Sequence, residues 1–311
     1  MHKIATTLLL IAVMQVCDAD TIIEVPASPE KGFNFPYLIK LPENLPSGDR
    51  LRLIVETNNT GKVSDDFSIH YAAAKDAITG NAVGPWLSKR LSLPILMPVL
   101  PRSESQWENY THALDRDTML EDASTIKRID LQLLTMIEDA KKRLHKRSVN
   151  VGDNIILTGF SASGTFANRF SMLHPEKIAI VVAGGLNGTL MLPLSAIGEH
   201  KLNYPLGIND FEDIADKPFN RTAWLRIHQF LFMGEQDTND AVAYDDAYSE
   251  SERVIIHSTT GKNMQPERWL NSQKHYIDSE ADVLFRTFQG IGHGTNGKIH
   301  QEFLEFVQKN L

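Results

Sequence analysis

Cysteine is the scarcest reactive residue, with Cys17 the only one among 311 residues. A chain cut behind it holds no thiol, no disulfide and no Cys-ligated metal, which removes cysteine catalysis from the list of chemistries. The sequence also lacks a positive balance. Its formal net charge is -8, so no basic stripe is set aside for a phosphate backbone, and nucleic acid is not an expected partner. No internal repeat, low-complexity tract or Pro/Ser-rich linker interrupts residues 20–311. The hydrophobic share of 42% is ordinary for a soluble protein with a real core, and it argues against disorder.

A long apolar run is missing too. The run from Ala5 to Val16 follows the positive Lys3 and ends at Cys17, Asp18 and Ala19. At about 12 residues it is too short to span a bilayer stably, but it has the layout of an export signal cut after Ala19. Residues 1–19 are therefore expected to be removed, leaving a secreted or periplasmic protein with no stable membrane span. Cys17 offers a second reading, a lipoprotein with an acylated cysteine as its new N-terminus. Val16 speaks against it, because the residue before such a cysteine should be small. Removing residues 1–19 takes away Lys3 and Asp18 together, so the net charge is unchanged.

What remains alternates short apolar runs with longer amphipathic stretches. Leu51 to Glu56, Pro94 to Leu100, Asn154 to Thr158, Lys177 to Ala183, His228 to Met233 and Val283 to Phe288 read as strands, several apolar almost throughout. Between them lie helical patterns. Ile129, Leu133, Leu134, Ile137 and Leu144 share one face of a helix from about Thr125 to Lys146, and Gln301 to Lys309 closes the chain with another. The pattern predicts an α/β fold, a mostly parallel central sheet with helices on both faces. Residues 186–226 carry Pro193, Pro205 and Pro218 and no clear strand. They are expected to form an irregular, cap-like insertion over the mouth of the site, within a single domain covering 20–311.

The most informative stretch is Gly159-Phe160-Ser161-Ala162-Ser163 at the end of an apolar strand, with a helix expected from about Gly164 to Leu173. This is close to the G-x-S-x-G elbow that lifts a serine onto a sharp strand-to-helix turn. The turn demands small residues two before and two after the serine, and Ser161 has Gly159 and Ser163. Ser163 as nucleophile would be flanked by Ser161 and the β-branched Thr165, a poor fit. A Gly/Ser-rich turn without chemistry gives the same five residues, so the partners matter.

Past the strand ending at Met233 come Gly234, Glu235, Gln236 and Asp237, then Asp240. A carboxylate there sits on the rim where open α/β sheets build their sites. Asp237 is the first choice to orient an imidazole, with Asp240 and Glu235 behind it; an Asp in such a loop is otherwise a helix cap. The last strand runs into Gly290-Ile291-Gly292-His293-Gly294. Flanking glycines single out His293 among 11 histidines as the general base for Ser161. An oxyanion needs two N–H donors. One is the backbone N–H of Ala162; the loop from Thr57 to Gly61 should supply the other, with Asn58 and Asn59 as candidates. The polar and aromatic stretch from Pro101 to Asp117 follows a strand end. It offers Trp107, Tyr110 and His112 as substrate-binding residues, or a loop held by its own ion pairs.

From roughly residue 35 to its end the chain resembles the α/β-hydrolase superfamily, whose triad order is the order Ser161, Asp237, His293 found here. The elbow and the Gly-Ile-Gly-His-Gly loop look like those of exported bacterial esterases related to polyhydroxybutyrate depolymerases and feruloyl esterases. Those usually carry glycine where Ser163 stands. The resemblance implies hydrolysis of a small-molecule or polymeric carboxylic ester through an acyl-enzyme, with no cofactor and no metal. A serine peptidase or amidase with the same triad, or a non-catalytic exported binding protein on this fold, are the alternatives.

Overall fold

Alternate residues of the apolar runs point to opposite faces of one sheet. The computed structural model describes residues 20–46, 50–59 and 61–311. The expected export signal, residues 1–19, lies outside the described residues. Among the described residues there are ten strands: β1 (Thr21–Val25), β2 (Tyr37–Leu41), β3 (Ile54–Glu56), β4 (Ile95–Pro98), β5 (Ile155–Phe160), β6 (Ile178–Gly184), β7 (Ala196–Ile197), β8 (His200–Lys201), β9 (His228–Gly234) and β10 (Val283–Phe288). Eight of them form the sheet in the order β1-β2-β4-β3-β5-β6-β9-β10. From β4 to β10 every pairing is parallel, while β1 and β2 are antiparallel additions at one edge.

The described residues also form ten α-helices: α1 (Phe67–Thr79), α2 (Val83–Leu91), α3 (Arg116–Leu120), α4 (Ile129–His145), α5 (Ala162–Leu173), α6 (Phe211–Ala215), α7 (Arg221–Trp224), α8 (Glu250–Thr259), α9 (Trp269–Asp278) and α10 (Gly297–Asn310). They fall on two sides. Ile54, Ile95, Ile156, Ile180, Phe230 and Phe232 meet Ile78, Leu87, Ile299, Phe303 and Val307 of α1, α2 and α10. Val55, Leu157, Val181, Leu231 and Met233, the alternating partners, meet α4, α5, α7 and α9 through Leu133, Phe166, Trp224 and Tyr276. Period-2 strands between two helical layers are what the apolar runs encode.

The six expected strands all form, shifted by a few residues at their ends. β1 and β2 were not expected. The long amphipathic helix starts at Ile129, four residues later than its pattern suggested. Among the described residues no helix is long and apolar enough to cross a membrane.

Residues 186–226 contain the hairpin β7–β8, α6 and α7, and the Met191 N–H ties their start to α5 by donating to Asn168 Oδ1 at 2.9 Å. Leu190, Met191, Leu192, Tyr204 and Phe211 are buried in the core on the α4/α5 side, so apolar burial draws the segment down. Tyr204 Oη donates to the Leu114 carbonyl at 2.5 Å, and Arg116 pairs with Asp210 at 2.7 Å.

One ionisable group is built into the sheet just behind the elbow. Glu56 ends β3, fully buried, and its Oε2 accepts from Thr158 Oγ1 at 2.7 Å and from the Gly84 N–H at 2.5 Å. Burial nevertheless pushes its carboxyl up from 4.5 to about 7. A pKa raised in the folded state favours folding below the unfolded value, and that contribution is lost as pH rises from 4.5 through 7. Glu56→Gln keeps an acceptor for both donors and removes the ionisation. Urea unfolding should find it more stable than wild type at pH 8, by about 3 kcal/mol, with the gain shrinking towards pH 5. A gain independent of pH would place the titration elsewhere.

Candidate active site

At the end of β5 the chain turns into α5 through one residue in an uncommon conformation. Ser161 has φ 62° and ψ -130°, a strain worth roughly 1–3 kcal/mol that the surroundings must hold. Its N–H donates to the Gly184 carbonyl of β6 at 2.9 Å. The turn closes because of two glycines. A Cβ on Gly159 would stand 2.2 Å from the Ser163 carbonyl oxygen, and one on Gly164 would stand 2.5 Å from that of Gly184. Ser163 is no obstacle. Its Oγ donates to the Phe160 carbonyl at 2.8 Å and accepts the Phe160 N–H at 3.0 Å, so it locks the turn, and it is engaged twice. The Thr165 N–H opens the helical ladder by donating to the Ser161 carbonyl at 3.0 Å. The Ala162 N–H therefore lies before the first intrahelical bond, at the positive end of α5.

The acid and the imidazole come from the ends of the next two strands. Asp237 is buried; its Oδ2 faces His293 Nδ1 at 2.9 Å, and its Oδ1 accepts the Asn239 N–H at 2.9 Å. A carboxylate accepts, so Nδ1 carries a proton in this contact. The histidine loop is clamped to the acid loop. Gln236 N–H donates to the Ile291 carbonyl at 2.9 Å, Gly290 N–H donates to Glu235 Oε2 at 3.0 Å, and a Cβ on Gly234 would stand 2.2 Å from the Gly292 carbonyl oxygen. The imidazole rests on Phe160, with ring centroids 4.7 Å apart. The two runner-up carboxylates are occupied: Glu235 holds the Gly290 turn, and Asp240 caps Val242 and forms an ion pair with the buried Arg268.

The remaining candidates separate. Asn59 lines the cavity in front of Ser161. Asn58 does not: its Oδ1 accepts the Leu100 N–H at 2.8 Å and its Nδ2 donates to the Leu100 carbonyl at 3.0 Å, a clip between two strand ends. Tyr110 lines the cavity, while Trp107 is exposed outside it. His112 was expected to bind substrate and is buried instead behind Asn58, its Nε2 2.9 Å from the Leu100 carbonyl; burial holds it down to about 3. A residue two beyond Tyr110 in a tight turn faces inwards, which composition alone does not reveal.

The cavity measures about 590 Å³ and is lined by Asn59, Gly61, Arg102, Tyr110, Phe160, Ser161, Asn187, Asn239, Ala241, Tyr244, Asp246 and His293. Arg102 pairs with Asp246 at 2.7 Å, and its guanidinium lies 4.0 Å from the Tyr110 ring centroid. Asn187, Asn239, Tyr244 and Asp246 escaped the sequence reading. Asn239 alone carried a signal, two residues past the acid. A wider groove of about 1370 Å³ along the C-terminal end of α4 is lined by Lys31, Arg50, Lys141 and Arg143 with their carboxylate partners, a solvated charged surface away from the strand ends. Among the described residues no three His, Cys, Asp or Glu side chains gather as a metal site.

No family model matches the sequence, and no curated protein matches it. Its likeness to solved structures is a likeness of fold. Poly(aspartic acid) hydrolase-1 from Sphingomonas sp. KT-1 superposes with a TM-score of 0.58 at 15% identity, over 94% of this chain and 97% of its own. A ferulic acid esterase gives 0.49 at 13% identity over 94% and 96%. A thermostable esterase gives 0.45 at 16% identity over 94% of this chain, which spans only 61% of that longer protein. The chain has the α/β-hydrolase fold, with an eight-stranded, mostly parallel sheet between helical layers.

The glycine geometry of the elbow gives a direct test. Gly164→Ala forces backbone apart and should cost about 1–3 kcal/mol in thermal unfolding. Gly297→Ala, where an added Cβ meets nothing within 4 Å, should be neutral or slightly stabilising in the first turn of α10. Equal effects at the two sites would mean that α5 does not press on β6.

Proposed function

We propose that the protein is a serine hydrolase that cleaves carboxylic esters through an acyl-enzyme. The observation that carries this reading is the pairing of Asp237 Oδ2 with His293 Nδ1 at 2.9 Å, the imidazole lining one cavity with a serine on a strained elbow. In the first half-reaction Ser161 Oγ bonds to the ester carbonyl carbon as its proton passes to His293 Nε2. The tetrahedral oxyanion is held by the Ala162 N–H and by an N–H of Asn59. The C–O bond to the alcohol then breaks, and the Nε2 proton leaves on that oxygen. Water repeats the sequence on the acyl-enzyme and releases the acid. In this structure Oγ and Nε2 are not hydrogen-bonded to each other, a contact that commonly tightens only with substrate bound.

Two features favour this over a non-catalytic binding protein: strain held at Ser161, and an imidazole on the cavity wall. The mature chain is proposed to begin near Asp20 and to act outside the cytoplasm on a small-molecule or polymeric ester.

A fluorophosphonate probe should label Ser161 in wild type and in Ser163→Ala and give nothing with Ser161→Ala, as read by mass spectrometry of the labelled peptide. Turnover of an ester panel beside an amide panel, with poly(aspartate) among the amides, then assigns the bond. Hydrolysis confined to amides would replace the esterase reading with an amidase.

Asp237→Asn should lower kcat by a factor on the order of 10⁴ with the fold intact, since the imidazole loses its orienting carboxylate. Asp240→Asn should show its effect in stability, on the order of 2 kcal/mol, because it removes the carboxylate partner of a buried guanidinium. The reverse pattern would make Asp240 the triad acid.

A further inference from the structure

Asn239 touches each of the three side chains assigned to catalysis. Its backbone N–H donates to Asp237 Oδ1 at 2.9 Å, and its side-chain Nδ2 lies 3.2 Å from His293 Nε2 and 3.4 Å from Ser161 Oγ. An amide nitrogen only donates, so Nε2 is the acceptor in this contact. That agrees with the Nδ1 proton given to Asp237. The serine and the imidazole thus share one amide nitrogen and do not bond to each other.

The place of the amide matters more than the strength of its bonds. A point within reach of both Oγ and Nε2 is where a leaving-group oxygen must stand to receive the Nε2 proton. It is also where water must stand to surrender a proton in the second half-reaction. The Asn239 amide fills that point. Its side chain is exposed at the cavity wall, while its backbone is tied to the buried Asp237, so the amide can swing without disturbing the acid.

We propose that Asn239 is a positioning residue whose amide acts as a wedge. It fixes the imidazole with Nε2 as acceptor, holds it apart from Ser161, and vacates the space when substrate enters. This rests on the reading of Ser161 and His293 given above. Two consequences separate a wedge from a merely structural asparagine. Removing the amide lets Oγ reach Nε2 directly, so the nucleophile should react faster. Replacing the amide by a carboxylate reverses the hydrogen bond, because an acceptor at that point holds Nε2 protonated.

The test is the rate of fluorophosphonate labelling at Ser161, followed by mass spectrometry from pH 5 to 9. Asn239→Ala, with Asn239→Ser as a second small variant, should label about two- to tenfold faster than wild type, the weight of one ordinary hydrogen bond. Asn239→Asp should label more slowly at neutral pH and recover as pH rises. Labelling by the alanine and serine variants at or below the wild-type rate overturns the wedge, as does an aspartate variant that behaves like alanine. Loss of the underlying reading looks different: Ser161→Ala would then label as wild type does. Circular dichroism and Tm matched to wild type keep folding out of the comparison.

Discussion

The helix α5 is buried on every side, and the arrangement around it follows from that constraint. All twelve of its residues are buried, including Ser163, Thr165, Asn168, Arg169 and Ser171. Polar groups taken out of water must find partners within the protein. Thr165 Oγ1 donates to Asn187 Oδ1 at 2.7 Å, which fixes a wall of the cavity. Asn168 donates to Tyr276 Oη at 2.7 Å and accepts the Met191 N–H at 2.9 Å, tying α9 and the start of the insertion to the same turn. Arg169 donates to the Ala113 carbonyl and to Tyr248 Oη, both at 2.9 Å, and so holds the loops on either side of the cavity. The helix that follows Ser161 is also the anchor for much of what surrounds it.

Close packing at the N-terminal end of this helix explains how a strained residue persists. Gly159 and Gly164 let the ends of β5, α5 and β6 approach more closely than any Cβ would allow. Ser161 is left with one conformation that satisfies its N–H on Gly184. The strain is local, and the stability that holds it comes from the two apolar layers beneath. Phe232 on β9 fills the space over Gly184, where a Cβ would meet its ring at 2.3 Å, so the elbow rests directly on the core.

The parts legible in the sequence are those where one periodicity dominates. The central strands from β3 to β9 are apolar on both faces and were readable as runs. β1 is hard to read because an edge strand mixes the exposed Thr21 and Glu24 into its apolar pattern, and β2 because the buried Lys40, paired with Asp20, breaks its run. The elbow was readable because sterics restrict it to small residues. Side-chain roles in the loops were less so, since a loop has no period to say which way a residue points. Asn58 and Asn59 are adjacent and chemically identical, yet one clips Leu100 and the other faces the cavity. Tyr110 and His112 divide in the same way. In the insertion the prolines announce irregular structure, while its buried leucines and Tyr204 bind it to the core.

The acid loop shows what spacing leaves undecided and three dimensions resolve. Glu235, Asp237 and Asp240 lie within six residues of one strand end, and each has the charge to orient a histidine. Their partners come from distant parts of the chain. Gly290 claims Glu235 because β10 pairs in parallel with β9 and delivers its following turn to that height. Arg268 claims Asp240 because the guanidinium is buried beside α9 and must be neutralised there. Asp237 is left facing the glycine-flanked imidazole that the same turn presents. Its place opposite His293 is thus secured partly by its neighbours, which engage the two carboxylates that compete for the role.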